Sequence, residues 1–281
     1  MAHPVAEAFN RAAGLIRGDD ARAGNCLSFE PGMDIIYTGD IHGHRRNLAK
    51  IIAYADLGFH PRRRLVLQEI IHGGPADADG DDRSFELLLR AIRLKISYPD
   101  QVFFLMGNHD LAQFAAQEIA KNGRGMCKSF EAGLDGSFGP DAAEVRSAVY
   151  DVLESLPLAA RCENGIFMTH SLPAPNRMPK IDWGILDRPY RQEDFPLGGS
   201  LYEWTWGRGH TPEQIAELAG RLDARQFLLG HQPVESGFEA PFDGLALLSS
   251  HHAHGKIMVF NSSAEIAADD LPELVEPIVA L

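Results

Sequence analysis

The amino-acid sequence predicts an α/β fold in which two packed, mixed β-sheets are flanked by helices. In the first half of the chain, short apolar runs alternate with segments of helical periodicity, a pattern that favours right-handed crossovers and a largely parallel sheet. In the second half, further apolar runs are separated by loops of very different length, which indicates a second sheet of mixed strand direction packed on the first.

The elements of the first half follow in a regular order. We predict strands at 34–38, 64–68 and 102–106, helices at 4–17, about 45–57, about 84–96 and about 111–121, and a loop at 18–32. The helix that begins near residue 84 has the clearest pattern, because its apolar residues recur in steps of three or four and Ser84 is placed to cap its start. We assign residues 1–33 to an N-terminal helical extension and residues 34–281 to the main domain.

The second half begins with a less regular stretch. Residues 122–141 are rich in glycine and contain Pro140, so we predict a loop there, followed by a helix at 141–155. The second set of strands is predicted at 165–169, 226–230, 244–249 and 256–260.

The composition is that of an ordinary globular protein and argues against several classes of function. The chain has 281 residues, of which 45% are hydrophobic, and a net charge of −13 that repels nucleic acid. No run in the sequence approaches the ~20 consecutive apolar residues of a membrane span. Cys26, Cys127 and Cys162 lie too far apart for a metal knuckle or a disulfide framework. We therefore expect a cytoplasmic protein with no membrane or nucleic-acid partner.

Polar side chains of the kinds that bind metals follow four of the predicted strands. They are Asp40 and His42, then Asn108 and His109, then His170, and finally His231. Because open α/β sheets form their sites at the carboxyl ends of strands, we expect these side chains to lie together. Oxygen and imidazole ligands without thiolate suit Mn, Fe, Zn or Mg, and more than four ligands indicate two divalent cations.

Two of these strand ends resemble the signatures of a known family. Residues 39–43 (GDIHG) and 107–110 (GNHD) match the GDxHG and GNH(D/E) motifs of the calcineurin-like metallophosphoesterases, in the branch of the serine/threonine phosphoprotein phosphatases and diadenosine-polyphosphate hydrolases. The resemblance covers roughly residues 34–260. It implies the four-layer sandwich of that family for residues 34–281, two metal ions, and a phosphorylated protein or small molecule as substrate.

The resemblance also implies a role for each matched residue. The implied metal ligands are Asp40, His42, Asn108, His170 and His231. His109 would remain unligated and give a proton to the leaving oxygen, and Arg208 would bind the phosphate. Two cations about 3.5–4 Å apart would share a hydroxide that attacks phosphorus.

The family's second motif, GDxxDRG, is altered in this chain. In direct alignment, Glu69 takes the place of the bridging Asp, His72 replaces the second Asp, and Gly73 replaces the Arg. In the family, that Asp orients the catalytic histidine and that Arg binds phosphate. Their absence from this chain would therefore weaken both proton transfer and substrate binding. His72 is left with three interpretations: it orients His109, joins the metals, or is a solvated loop residue.

A rival alignment treats residues 70–79 as an insertion. Asp81 would then supply the bridging carboxylate and Arg83 the missing arginine. Its weakness is that Asp81 lies far past the end of the strand. Under the direct alignment, we expect a solvated acidic loop made of Asp77, Asp79, Asp81 and Asp82.

Aromatic and histidine clusters later in the chain are ambiguous. Trp204 and Trp206 are expected to pack in the core or at a rim, where an aromatic wall could also stack on a nucleobase. At most one of His251, His252 and His254 is expected to contact phosphate or a metal.

Three functions fit the sequence. The first is a phosphatase that hydrolyses phosphomonoesters of a protein or a small phosphometabolite through attack by the metal-bridging hydroxide. The second is a dinucleotide polyphosphate hydrolase with the same metals. The third is a catalytically weak binding scaffold, which the altered second motif suggests and the intact His109 and Asn108 oppose.

Overall fold

A computed structural model describes residues 2–121 and 123–281 of the protein. In chain order the strands are β1 (Arg22–Ala23), β2 (Cys26–Phe29), β3 (Asp34–Asp40), β4 (Arg63–Gln68), β5 (Val102–Leu105), β6 (Ala120–Lys121), β7 (Arg124–Gly125), β8 (Ala159–Cys162), β9 (Ile166–Thr169), β10 (Gln226–Leu229), β11 (Phe238–Phe242), β12 (Leu245–Leu248), β13 (Lys256–Asn261) and β14 (Val275–Pro277). The α-helices are α1 (Pro4–Arg17), α2 (Arg45–Ala55), α3 (Phe85–Ser97), α4 (Asn108–Phe114), α5 (Met126–Phe138), α6 (Ala142–Ser155), α7 (Ser200–Trp206) and α8 (Pro212–Leu222).

The strands form two sheets and a short ribbon. The five-stranded sheet has the order β14-β13-β3-β4-β5, in which β3, β4 and β5 are parallel and β13 runs antiparallel to both of its neighbours. The seven-stranded sheet has the order β1-β2-β8-β9-β10-β12-β11, with β9, β10 and β12 parallel. Strands β6 and β7 pair as an antiparallel ribbon. Both sheets are therefore mixed.

Alternate residues of the strands face two different apolar layers. Ile35 and Tyr37 of β3 lie in a cluster with Met168 of β9 and Leu228 of β10, so this layer fills the space between the sheets. Ile36 points the other way and shares a cluster with buried residues of the helices. The predicted fold class, two packed mixed sheets flanked by helices, is confirmed.

Tyr37 links the two sheets through its hydroxyl group. The side chain is fully buried, and its oxygen lies 2.9 Å from the carbonyl oxygens of both Thr169 and Leu228. Gln68 at the end of β4 donates to the same hydroxyl over 2.8 Å. Since Thr169 directly precedes His170 and Leu228 lies three residues before His231, the link connects the ends of β3, β4, β9 and β10.

Replacing Tyr37 with phenylalanine is expected to lower the free energy of unfolding by about 1–3 kcal/mol, because Gln68 loses its buried acceptor and a buried carbonyl loses its donor. Urea denaturation of the metal-free protein measures the change. Tyr54→Phe, which removes a hydroxyl from a half-buried side chain of α2, is the matched control. Equal stability of wild type and Tyr37→Phe would contradict the link.

Four sequence predictions about secondary structure are wrong. Residues 18–32 are not only a loop, because β2 pairs in parallel with β8, a strand that the sequence reading also missed. Residues 122–141 contain α5, whose Gly133 and Gly136 suggested a loop. Position 133 of this helix requires glycine, because the Cβ of any other residue would overlap the backbone carbonyl oxygen of Asp82.

The third error concerns β13, which we had placed in the second sheet. It pairs antiparallel with β3 and so belongs to the first sheet, with β14 at its outer edge. Helix α4 also begins at Asn108, three residues earlier than predicted, and ends at Phe114. Strand partners of this kind depend on contacts distant in sequence, whereas the start of α4 is set by a local contact, in which Gly107 N donates to Asp110 Oδ2.

The first 33 residues pack with the rest of the chain. Phe9 and Ile16 of α1 are buried in the helical layer, and β2 lies in the seven-stranded sheet. The division of the chain at residue 33 stays a prediction. Among the residues that the structure describes, no helix is both long and apolar enough to cross a membrane.

Candidate metal centre

The predicted ligands follow the carboxyl ends of strands from both sheets. Asp40 is the last residue of β3, and Asn108 is the first of α4, just after β5. His170 follows β9 and His231 follows β10. A parallel bridge between Asp40 and Ser249 joins the edges of the two sheets here. The tips of parallel strands from both sheets therefore converge on one place.

A first group of ligand atoms is formed by His42, Glu69 and His109. His42 Nε2 lies 3.5 Å from Glu69 Oε1 and 3.8 Å from Asp40 Oδ2. His109 Nε2 lies 3.7 Å from the same Glu69 oxygen. These atoms lie within 4.8 Å of one another, close enough for one cation.

A second group is formed by Asp40, Glu69 and His170, and two further side chains complete it. His170 lies 3.5 Å from Asp40 Oδ1 through Nδ1 and 3.1 Å from Glu69 Oε2 through Nε2. Asn108 Oδ1 lies 2.8 Å from both His170 Nε2 and His231 Nδ1. Five side chains of the right chemistry thus surround a second cation-sized space.

Glu69 is common to both groups. Its two carboxylate oxygens point to different groups, and within the described part of the chain Oε1 is a buried atom without a hydrogen-bond partner. A buried carboxylate oxygen without a donor is costly unless a cation neutralises it. The residues present therefore fit two divalent cations that share Glu69.

The local backbone explains how Glu69 reaches this position. Glu69 has a positive φ of 44°, which turns its side chain back toward β5 at the point where β4 ends. Gly107 lies beside it, and a Cβ there would overlap the Glu69 carboxylate. Asp110 Oδ2 accepts from Gly107 N over 3.0 Å and so starts α4 at Asn108. The glycine of the GNHD sequence makes room for the longer acidic side chain.

Asp81, the rival bridging residue, belongs to neither group of ligand atoms. Its backbone N–H donates to Asp77 Oδ1 over 2.8 Å in a turn. Arg83 forms an ion pair with Glu86, which also binds Arg45. The geometry thus supports Glu69, and not Asp81, as the shared carboxylate.

Burial controls the charges of the site. Burial raises the pKa of Asp40 to about 6 and raises that of Glu69 well above its usual range, where the nearby Asp40 adds to the shift. Burial also lowers the pKa of His231 to about 3 and that of His170 well below its usual value. The carboxylates resist ionisation without a cation, whereas the histidines stay neutral and keep a lone pair available for one.

Asp40→Asn is expected to stabilise the metal-free protein relative to wild type as the pH rises. In the folded protein, burial raises the pKa of the Asp40 carboxyl to about 6, against a usual value of 3.8. The protonated carboxyl therefore stabilises the fold below pH 4, and this stabilisation is lost as the pH rises through 6. The variant should therefore gain up to about 3 kcal/mol on wild type between pH 4 and pH 7. Thermal unfolding in chelator over this range measures the difference.

Added divalent cation should reverse the order, because wild type offers the cations two carboxylate ligands, Asp40 and Glu69, whereas the variant keeps only Glu69. If the variant and wild type unfold with the same pH dependence in chelator, Asp40 carries no burial penalty and the prediction is wrong.

His72 is fully buried beside His109, which rules out the solvated-loop interpretation. His72 Nδ1 lies 2.9 Å from His109 Nδ1, and it belongs to neither group of ligand atoms. Asp82, predicted to be solvated, is also buried, and its carboxylate accepts from the backbone N–H groups of Gly73 and Ser84. Ser84 lies just before α3 as predicted, but its hydroxyl accepts from His72 N instead of capping the helix.

Arg208 lies at the exposed rim of the second group. Its Nε donates to His231 Nε2 over 2.9 Å. The glycines on both sides, of which Gly209 has a φ of 70°, let this segment approach the site closely. Arg208 therefore lies beside the second group of ligand atoms, and its role in phosphate binding stays a prediction.

The aromatic residues near Arg208 divide between core and rim. Trp204 is fully buried and donates to Thr169 Oγ1 over 3.2 Å, so it is a core residue. Trp206 is stacked on Tyr202, and its ring centre lies 6.2 Å from that of His231.

One member of the late histidine cluster faces the site. The ring centre of His251 lies 5.3 Å from that of His42. His252 instead contacts Val234 O through Nε2, and His254 is exposed.

Sequence reasoning missed two glutamines that contact the site histidines. Gln68 Oε1 lies 2.9 Å from His170 Nδ1, so Gln68 joins that histidine to Tyr37 and the sheet core. Gln113 Oε1 lies 2.8 Å from His72 Nε2. Gln68 is the last residue of β4 and Gln113 lies within α4, and nothing in the sequence indicates which histidine either side chain contacts.

Comparisons with known proteins agree with this geometry. The calcineurin-like phosphoesterase family matches residues 33–258. The chain is 23% identical over 228 residues to the serine/threonine-protein phosphatase 4 catalytic subunit of Kluyveromyces lactis, a match that covers 73% of this chain and 65% of that protein. The protein of the same name from Saccharomyces cerevisiae matches with the same identity and coverage. The match thus spans 65% of the length of these relatives.

Solved structures show the same fold. A protein serine/threonine phosphatase from Saccharomyces cerevisiae with similarity to human phosphatase PP5 superposes with a TM-score of 0.65 at 17% identity, covering 91% of this chain and 81% of that one. A cold-active protein-tyrosine phosphatase of a psychrophilic Shewanella superposes with a TM-score of 0.60 at 12% identity, covering 88% and 80%.

The family match covers most of the chain and includes every strand end that carries a candidate ligand. The family is one of hydrolases with a dinuclear metal centre, and the two groups of ligand atoms around Glu69 are consistent with such a centre. The chain belongs to the calcineurin-like phosphoesterase family.

Proposed function

We propose that this protein is a phosphatase that hydrolyses phosphomonoesters and uses two divalent cations, of which Mn, Fe and Zn suit the ligands best. The observation that carries the proposal is the shared carboxylate of Glu69, which belongs to two adjacent groups of ligand atoms beside His109. The names of the relatives, which are protein phosphatases, support the same reaction class.

The residues divide between two cations as follows. His42 would hold the first, together with Asp40, whose Oδ2 lies 3.8 Å from His42 Nε2 although Asp40 also belongs to the second group of ligand atoms. Asn108, His170 and His231 would hold the second, and Glu69 would be shared by both. When bound, the cations supply an activated water as nucleophile and neutralise the charge of the phosphoryl oxygens.

His109 is the residue for proton transfer. Its Nε2 faces the cluster, 3.7 Å from Glu69 Oε1, while its Nδ1 contacts His72. When both ring nitrogens of His109 carry a proton, the one on Nε2 passes to the ester oxygen as the bond between phosphorus and that oxygen breaks, and the water oxygen forms the new bond to phosphorus. His109 is then left neutral, with its remaining proton on Nδ1. The family's orienting carboxylate is absent, and His72 takes its place.

Arg208→Ala is expected to raise KM for p-nitrophenyl phosphate and Ki for inorganic phosphate about 10-fold or more, because a charged hydrogen bond to phosphate is lost. The metal content should not change. Arg90→Ala, which removes an exposed arginine from α3, is the matched control. A loss of bound metal with unchanged KM would show that Arg208 acts through His231 and not on the substrate.

The side chains that line a cleft beside the ligands support a phosphate ester as the substrate. The ligands lie near a cleft of about 450 Å³ whose lining includes His42, Arg45, Arg46 and His251. Positively charged and imidazole groups suit a phosphate ester, and the protein phosphatases among the relatives point to phosphoserine, phosphothreonine or phosphotyrosine. A cytoplasmic location without nucleic-acid partners stays a prediction.

A second candidate substrate is a dinucleotide polyphosphate. The stacked pair Tyr202 and Trp206 lies at the rim near His231 and offers an aromatic surface for a base.

The test is a comparison of metal-stripped protein with protein reloaded with Mn²⁺, Fe²⁺ or Zn²⁺. We expect p-nitrophenyl phosphate turnover only after reloading, and phosphopeptide turnover in preference to diadenosine tetraphosphate. Preference for the dinucleotide would favour the second candidate. Stoichiometric metal uptake without turnover of any of these esters would overturn the phosphatase proposal and leave the binding scaffold.

A further inference from the structure

A chain of hydrogen bonds runs from His109 away from the metal ligands and into the helical layer. His109 Nδ1 lies 2.9 Å from His72 Nδ1, and His72 Nε2 lies 2.8 Å from Gln113 Oε1. Gln113 Nε2 donates to the Tyr150 hydroxyl over 3.0 Å, and that hydroxyl donates to Glu131 Oε1 over 2.6 Å. Four contacts thus connect the catalytic histidine to a carboxylate at the half-buried surface.

The carboxylate at the end determines the direction of every bond. Glu131 only accepts, so the hydroxyl proton of Tyr150 points toward it and the Tyr150 oxygen accepts from the amide of Gln113. The Gln113 carbonyl then faces His72 Nε2, which must be its donor. A neutral imidazole that donates from Nε2 accepts at Nδ1, so His109 donates from Nδ1. The chain therefore defines the tautomers of both histidines.

His72 is held rigidly in its place. It has a φ of 64°, its N–H donates to Ser84 Oγ over 2.8 Å, and its ring packs edge-on against Phe130 at 5.7 Å between centres. Burial lowers the pKa of His72, which keeps the ring neutral. Asp82 and Glu118 already place negative charge nearby, so a neutral acceptor avoids burying one more carboxylate here.

We propose that His72 is the positioning residue for His109, and that the relay ending at Glu131 holds the His109 ring with a proton on Nδ1 and Nε2 turned to the leaving oxygen. The inference deepens the proposed phosphatase function and its catalytic part rests on it. The role that the family gives to an aspartate is carried here by a neutral histidine with its own hydrogen-bond chain.

The tautomers are tested first, without any need for turnover. Long-range ¹H–¹⁵N correlation spectra of the full-length protein, metal-free and Zn²⁺-loaded at pH 8, report which ring nitrogen carries the proton. We expect His109 protonated at Nδ1 and His72 at Nε2, with His72→Asn and His109→Gln used for assignment. A His72 ring protonated at Nδ1 would overturn the relay whether or not the protein is a phosphatase.

The catalytic consequence is tested with two esters, phenyl phosphate and p-nitrophenyl phosphate. A poor leaving group depends on the proton from His109, whereas p-nitrophenolate leaves without much help. His72→Phe, which keeps a ring but has no acceptor, should lose about tenfold or more of kcat/KM on phenyl phosphate and less than about threefold on p-nitrophenyl phosphate. His72→Asn, whose amide oxygen can replace Nδ1 as acceptor, should recover most of the phenyl phosphate activity.

Two further variants separate positioning from packing. Phe130→Leu disturbs the same pocket without touching the relay and should lower both rates equally or not at all. Tyr150→Phe removes only the hydroxyl between Gln113 and Glu131 and should shift the ratio of the two rates in the same direction as His72→Phe, by a smaller factor. Equal losses on both esters in His72→Phe would show a structural role and overturn the catalytic part.

Discussion

Glu69→Gln is expected to lower kcat/KM for p-nitrophenyl phosphate by about 10²–10³-fold, the scale of losing one strong electrostatic stabiliser of a transition state. Glutamine has nearly the same shape but no charge, so it cannot neutralise two cations at once. Glu69 Oε1 lies 3.5 Å from His42 Nε2, and Oε2 lies 3.1 Å from His170 Nε2, so the change affects both groups. Metal content by mass spectrometry should fall in parallel with activity.

The control for Glu69→Gln is Asp81→Asn, the same change of charge at the rival position. It should bind metal and turn over substrate as wild type does, because Asp81 belongs to neither group of ligand atoms. Loss of metal in Asp81→Asn with retention in Glu69→Gln would establish the rival alignment and refute the present assignment.

The stability of metal-free Glu69→Gln shows whether the variant has lost only a metal ligand or has also lost its native packing. Burial raises the pKa of Glu69 well above its usual range, so the charged form is unfavourable in the metal-free protein. At neutral pH in chelator, Glu69→Gln should therefore unfold at the same temperature as wild type or higher. A marked drop in Tm would mean that the substitution damages packing, and the activity data could then not be assigned to the metals.

His109→Ala is expected to lower kcat for phenyl phosphate by about 10²–10⁴-fold, the range for a lost general acid. The loss on p-nitrophenyl phosphate should be much smaller, because its leaving group needs little protonation. KM should change little, since the proposed phosphate contacts are those of Arg208 and the cations and do not include His109.

The metal content of His109→Ala decides between two roles for this side chain. His109 Nε2 lies close enough to Glu69 and His42 to belong to the first group of ligand atoms. Unchanged metal content is expected for a proton donor, whereas loss of one equivalent would identify His109 as a ligand. His60→Ala is the control, because His60 is an exposed histidine in the turn before β4, at the opposite end of that strand from Glu69.

Much of the site could be predicted because its signals are local. Each of the four lies at the end of an apolar strand or within three residues after it, so its position depends mainly on where that strand ends; they are Asp40, Asn108, His170 and His231. The outcome at the second motif could not be predicted in this way. Whether Glu69 reaches both groups depends on its positive φ and on the space left by Gly107, which lies on a different strand end.

The pattern of apolar residues by itself determined the α/β class and the β3, β4 and β5 strands, because alternation and helical periodicity are properties of neighbouring residues. The tertiary structure alone decided that β13 joins the first sheet and that His72 is buried in contact with His109. It also decided that Asp82 is buried and that its carboxylate accepts hydrogen bonds from the backbone N–H groups of Gly73 and Ser84 in the segment between β4 and α3. Each of these depends on contacts between segments far apart in sequence, whose order in space is set only when the two sheets pack together.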